Sequence, residues 1–278
     1  MVDPTRGVLY PARLPSFTRV APPASVAALI SWLWIPEWDL APGRSSRQEI
    51  VGYPASNLVV ESQGDVVVAG VAGPSTRRSH RDLRGRGWAV GALLRPAAVP
   101  AVVGVPSCVV DRYEIRELPE LAAAVESAMR AEDAAARHAA AVGAFAGWLA
   151  ARVPPPDEKA LLANGMADLL MQDAGILRVE QAAARLSVSV RTLQRLAHRY
   201  VGVSASAMIR RRRLQEAAQR VREHPGADLA ELAAQLGYAD HAHLTNDFRA
   251  VLGFTPSRYR STQPGRLTAA ARQTTLDG

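Results

Sequence analysis

Three side chains in one short stretch, Arg191, Gln194 and Arg195, have the types and spacing that read base edges in duplex DNA. Arginine pairs with O6 and N7 of guanine, and glutamine with N6 and N7 of adenine, each through two hydrogen bonds. Positions i, i+3 and i+4 share one face of a helix, so all three point the same way. Thr192 stands beside them as a further base-contacting candidate. Later in the chain His241, His243, Thr245 and Asn246 form a second polar stretch of the same kind. Two histidines at i and i+2 do not face each other on a helix, so that pair predicts no metal site.

Such side chains work only if a helix presents them. The spacing predicts a helix over Val190–Tyr200. Leu193, Leu196 and Ala197 form its inner stripe, and Arg191, Thr192, Gln194, Arg195 and Arg199 its outer face. Ser189 is placed to cap it. A short helix over Glu180–Leu186 and the turn Ser187-Val188 precede it. The second stretch repeats the plan over Asp228–Leu252. Asp228 caps a helix carrying Leu229, Leu232, Ala233 and Leu236. Gly237 supplies its C-cap, and Asp240 caps a following helix with Leu244 and Phe248 inward. A connecting helix, about Ser204–Glu223, carries the run Arg210–Arg213, with Leu214, Ala217 and Val221 on its buried side. A pair of recognition helices held across one connector reaches successive major grooves, ~34 Å apart.

At these residues the chain resembles the AraC/XylS family. Ser189-Val-Arg-Thr-Leu193-Gln-Arg195, Gly202-Val-Ser204 and Arg213-Leu214 look like the first half of its DNA-binding domain. Leu229-Ala-Glu-Leu232-Ala233, Leu236-Gly237-Tyr238, Phe248-Arg249, Gly253-Phe254-Thr255-Pro256 and Tyr259-Arg260 look like the second. The resemblance implies base contacts from Arg191, Gln194 and Arg195 in one groove and from His241, His243 and Thr245 in the next. It implies phosphate contacts near Arg249 and the caps Ser189 and Asp240, with Arg199 and Arg211 as further phosphate candidates. Asn246 stands where arginine is common, and Asp247 where a small apolar residue is common. A carboxylate near DNA is repelled by phosphate, so the second unit is expected to bind weakly.

The charge distribution agrees. Residues 1–175 hold 17 Lys+Arg against 18 Asp+Glu, and residues 176–262 hold 14 against 7. Within the overall +7, the excess thus sits in the C-terminal block, the footprint of a polyanion partner. The lone Cys108 excludes an internal disulfide framework and a several-thiolate zinc site, and is expected to be a buried small hydrophobe. The N-terminus shows no signal-peptide pattern and no apolar run reaches the ~18 residues of a span, so a cytoplasmic, nucleoid-associated protein is expected.

The fold class expected is α+β. Residues 1–118 read as a strand-rich sensing or regulatory domain of cupin-like type, with 1–24 an irregular Pro-rich lead-in. Residues 119–175 read as a helical linker or dimerisation segment, 176–262 as an all-α domain with two helix-turn-helix units, and 263–278 as a disordered tail. Asn57–Ser62 and Val66–Val71 predict a hairpin. Trp88–Leu94 predicts a strand, followed by a short helix opened by Pro96, and Val109–Ile115 reads as another strand. The basic run Arg77–Arg86 reads as a solvated loop. Residues 10–118 resemble the N-terminal domain of an uncharacterised actinobacterial branch of AraC-like proteins. Trp32, Trp34, Trp38 and Tyr53 are candidates for an effector pocket or for core. His80 is the one histidine before residue 138, so no metal, cofactor or catalysis is expected there. The partners expected are double-stranded DNA, RNA polymerase for an activator, a small-molecule effector and a second copy of the chain. An architectural DNA-binding protein is the alternative, and a DNA-repair enzyme lacks the cysteines it needs.

Overall fold

The computed structural model describes residues 16–261 apart from 51 and 65. The strands are β1 (Ser16–Val20), β2 (Ile30–Asp39), β3 (Ser45–Ile50), β4 (Asn57–Gln63), β5 (Val66–Ala72), β6 (Ser79–Arg84), β7 (Arg86–Leu94) and β8 (Tyr113–Arg116). Six of them form an antiparallel sheet in the order β1-β2-β7-β4-β5-β8, and β3 pairs with β6 as a separate ribbon. The helices are α1 (Val99–Val102), α2 (Pro119–Met129), α3 (Ala134–Arg152), α4 (Glu158–Gln172), α5 (Val179–Arg185), α6 (Val190–Tyr200), α7 (Ala205–Glu223), α8 (Leu229–Gln235), α9 (His241–Leu252) and α10 (Pro256–Ser261).

Aromatic–glycine pairs set the register of the two longest strands. Trp34 lies opposite Gly91 and Trp38 opposite Gly87. A Cβ on Gly91 would stand 2.1 Å from the Trp34 ring, and one on Gly87 2.4 Å from that of Trp38. Only glycine leaves room for an indole to lie flat on the neighbouring strand. Alternation then sorts the faces. Leu58, Val60, Val90 and Ala92 join one cluster, while Val59 and Ala89 join Trp38 on the other side.

The first face is covered by α2 and α3. Leu121, Val125, Met129, Val142, Phe145 and Leu149 are buried against the sheet. Full burial of each such side chain contributes ~1.5–3 kcal/mol. These stripes are therefore consumed within the chain, which removes the basis for reading them as a dimerisation face. Glu37 of β2 pins α3 from the sheet side. It accepts from Arg137 Nε at 2.9 Å and lies 2.8 Å from His138 Nε2. Burial alone would raise its pKa, but the bonds from His138 and Arg137 outweigh that and hold it below 4.5.

Helix α4 begins at the cap Asp157, whose carboxylate accepts from Ala160 N at 2.7 Å. Asn164 is buried on this helix. It accepts from Ala97 N and donates to Ala28 O, both at 2.9 Å. Arg95 at the β7 exit forms an ion pair with Asp168 one turn further. So α4 is fastened to the strand domain by polar bonds on one side. On the other it packs on α6 through a cluster that includes Met166, Leu170, Leu193, Leu196 and Tyr200.

The chain packs as two compact units, up to Ile209 and from Arg210 onward. The first helix-turn-helix thus packs with the strand domain, although the sequence motif groups it with the second. In the second unit Leu214, Ala217, Val221, Leu232, Ala233, Leu244, Phe248 and Tyr259 are buried. The Phe254 and Tyr259 rings stack at 5.3 Å.

Four sequence expectations are corrected. Part of the Pro-rich lead-in is β1, and residues 1–15 lie outside the described residues, as does the tail from 263. The basic run is not a loop, since its centre is β6. Arg47 pairs across the ribbon with Asp82 at 2.7 Å, which lets a polar strand form without a buried face. Cys108 is exposed, on a 3-10 turn over Pro106–Val109 in which Pro106 and Val109 are the buried residues. Val109–Ile115 is not one strand, for β8 begins at Tyr113. Among the described residues no helix is long and apolar enough to cross a membrane.

Candidate nucleic-acid interface

Both recognition helices are set by the same backbone device. After α5, Ser187 N donates to Ala184 O at 3.1 Å and Val188 N to Ala183 O at 3.0 Å. After α8, Gly237 N donates to Ala234 O and Tyr238 N to Ala233 O, both at 2.9 Å. This paired bonding closes a helix when one residue turns left-handed. Gly237 does so at φ 72° and Ser187 at φ 53°. Each turn then delivers a cap. Ser189 Oγ accepts from Thr192 N at 3.1 Å, and Asp240 Oδ1 from His243 N at 2.7 Å.

On α6 the inner stripe is as the sequence predicts. Leu193, Leu196, Ala197 and Tyr200 are buried. Arg191, Gln194, Arg195 and Arg199 are exposed on the other side, and Thr192 is half-buried. The Thr192 hydroxyl lies 2.9 Å from Ser189 Oγ and is engaged in the cap. Arg199 leans over the Tyr200 ring, 5.7 Å from its centroid. That leaves Arg191, Gln194 and Arg195 as one uncluttered donor face at the helix N-terminal half. A recognition helix contacts bases from that half.

The second helix, α9, presents His241, His243 and Asn246 exposed, with Thr245 half-buried. His241 Nε2 lies 3.3 Å from Thr245 Oγ1. His243 sits edge-on to Tyr238 at 5.2 Å, and Arg213 covers that ring at 3.8 Å. Burial raises the pKa of Tyr238 above its ordinary value and keeps the ring's hydroxyl protonated.

Three site expectations change. Asp247 does not confront phosphate as a free carboxylate. Arg210 grips it with Nε at 2.8 Å and Nη2 at 2.7 Å, and its side chain is 14% exposed. Sequence reasoning missed this pair because the two residues are far apart in the chain. Arg211 is buried, at 3% exposure, and is not presented to a phosphate. Helix periodicity was the usable signal, since Arg211 lies one helical turn from the buried Leu214. Asp240 is an acceptor committed to its cap, so it orients α9 and supplies no donor to a phosphate. Arg249 is exposed, as a phosphate contact requires.

Of the aromatic candidates in the strand domain, Trp32 and Tyr53 line a cavity of about 180 Å³ and meet edge to face at 5.2 Å. Trp34 and Trp38 do not reach it. They lie on β2, where Trp34 Nε1 donates to Asn57 Oδ1 at 3.0 Å and Trp38 Nε1 to Arg84 O at 3.1 Å.

Comparison with known proteins places this geometry. A helix-turn-helix domain family matches residues 182–262, and a domain family of unknown function (DUF6597) matches residues 18–112. The search of curated proteins gives no match. Among solved structures, the chain is similar to the C-terminal domain of AraT, a response regulator from Geobacillus stearothermophilus. There the identity is 21%, over 38% of this chain and 89% of that one, with a TM-score of 0.35. It is also similar to ToxT from Vibrio cholerae, at 10% identity over 90% of this chain and 100% of that one, with a TM-score of 0.44. A third is the xylose-binding transcription activator XylR, at 17% identity over 46% and 39%, with a TM-score of 0.30. With its C-terminal region formed by an AraC-type helix-turn-helix domain behind a strand-rich N-terminal region, the chain is a DNA-binding transcription regulator.

Proposed function

We propose that the chain regulates transcription by sequence-specific binding of duplex DNA, that α6 supplies most of the base reading, and that the N-terminal domain controls it in response to a small molecule. One observation carries this reading. Arg191, Gln194 and Arg195 stand exposed together on a helix whose opposite stripe is fully buried. Each bidentate base contact discriminates by ~1–3 kcal/mol, so three contacts give a preference that backbone binding alone lacks. On α9 the exposed His241, His243 and Asn246 support a weaker second reading. Arg199 and Arg249 are the phosphate contacts, and DNA as partner implies a cytoplasmic protein.

Selection of bound duplexes from a random pool, with the full chain at a stated salt concentration, tests this. The expected outcome is one enriched motif with a strong box and a weaker box about one helical turn away. Equal recovery of all sequences contradicts it and favours an architectural role.

A further inference from the structure

The cavity beside Trp32 is lined by two residues with buried polar atoms that no described residue satisfies. Ser56 is completely buried, lines the cavity, and its Oγ has no hydrogen-bond partner among the described residues. Arg95 lines the same cavity. One end of its guanidinium pairs with Asp168 of α4, while its buried Nε is likewise unpartnered. Buried polar groups are otherwise paired, and an orphan costs the full desolvation of the group. The remaining wall is largely apolar, with Trp32 and Tyr53 from the strand domain, Met171 from α4 and Tyr200 from the end of α6.

We propose that this cavity is a binding site for a small apolar molecule bearing one oxygen acceptor, a carboxylate or a carbonyl. Arg95 Nε can only donate and the Ser56 hydroxyl can donate, so a ligand's acceptor oxygens suit both groups. A cavity of ~150 Å³ holds a benzene-sized molecule, which sets the ligand at roughly one ring plus its oxygen group. The site also has a route to DNA. Its walls include α4 and the last turn of α6, and a carboxylate ligand competes with Asp168 for Arg95, one of the bonds that fasten α4 to the strand domain. Gly202, just beyond α6, touches that domain as well, because a Cβ there would lie 2.6 Å from the Pro106 carbonyl carbon. A ligand therefore acts on the part of the chain that holds the first recognition helix. This consequence, unlike the binding itself, rests on the regulator reading.

Titration of the full chain without DNA tests the site. The probes are cyclohexanecarboxylate, cyclohexanecarboxamide and cyclohexylmethylamine, followed by calorimetry and by the Trp32 indole resonance. The acceptor-bearing probes should saturate and shift that resonance, and the amine should bind at least about tenfold more weakly. Ser56→Ala should weaken the acceptor probes about tenfold. It should leave the unliganded melting temperature unchanged or higher, because it removes an unpaired buried hydroxyl. No saturable binding by either acceptor probe, equal binding of the amine, or an unaltered affinity in S56A overturns the proposal. A chain that binds the probes but selects no DNA motif keeps this site and loses the regulator reading, and a chain with a motif but no probe binding does the reverse.

Discussion

The two helix-turn-helix units share one backbone plan and differ in what surrounds it. The first is built into the strand domain, with α6 packed on α4 and Gly202 pressed against Pro106. Its outward face is arginine-rich and largely unencumbered. The second lies in its own compact unit, where Arg210 neutralises Asp247 and Tyr238 carries Arg213 and His243 on its faces and edge. Similar local chemistry is thus left exposed in one unit and committed to internal packing in the other. Turn bonds and caps set a helix; only the neighbours decide which charges remain free to meet DNA.

Equivalent glycines give the largest test of that contrast. Gly202 and Gly253 both follow a recognition helix at positive φ, 89° and 79°. At Gly202 a Cβ would, besides the strain of its φ, lie 2.6 Å from the Pro106 carbonyl carbon. Gly202→Ala should cost about 2–4 kcal/mol in urea unfolding, and Gly253→Ala about 1–2. Equal costs would break the claim that the first unit is pressed onto the strand domain.

Arg195→Ala sharpens the reading side. It should cost ~1–3 kcal/mol on the selected site and little on random duplex. An equal loss on both would make Arg195 a phosphate contact. A smaller effect concerns the second unit. A double-mutant cycle on Arg210 and Asp247 should give a coupling of ~0.5–1 kcal/mol, because Arg210 is 46% exposed. Asp247→Asn should alter DNA affinity by less than about threefold, since the carboxylate is already neutralised. A large gain in affinity would restore the repulsion that the sequence implies.

The smallest effect lies at the Glu37 cluster of the first unit. Its pKa is lowered in the folded chain, so its stabilisation is present above the unfolded value of 4.5 and is lost as pH falls through the lower folded value. Glu37→Gln should remove that part of the acid sensitivity, a change under about 1 kcal/mol in chemical unfolding between neutral and acid pH. An unchanged pH profile would separate Glu37 from the pinning of α3.

Local rules made the helices legible. Ser189, Asp228 and Asp240 announce their caps, and α6 runs between the residues that spacing predicts. The strands were harder. In β2 Trp34 and Trp38 fill one face against glycines of another strand while Leu33 and Ile35 are buried on the other, so no clean alternation marks it. In β3 and β6 the stabilising pairs run between strands and leave polar sequences that resemble loops. At the site, helix period and capping identify Arg191, Gln194 and Arg195. The burial of Arg211, the capture of Asp247 and the unpaired Ser56 depend on distant partners and appear only in three dimensions.

The central claim is that α6 carries most of the sequence preference. It is tested most directly by the ratio of affinities for the selected site and for random duplex, at one salt concentration, in two double variants. Arg191→Ala with Arg195→Ala should lower that ratio by about a hundredfold or more, and His241→Ala with His243→Ala by about tenfold or less. Equal losses, or a larger loss from the histidine pair, would contradict the account.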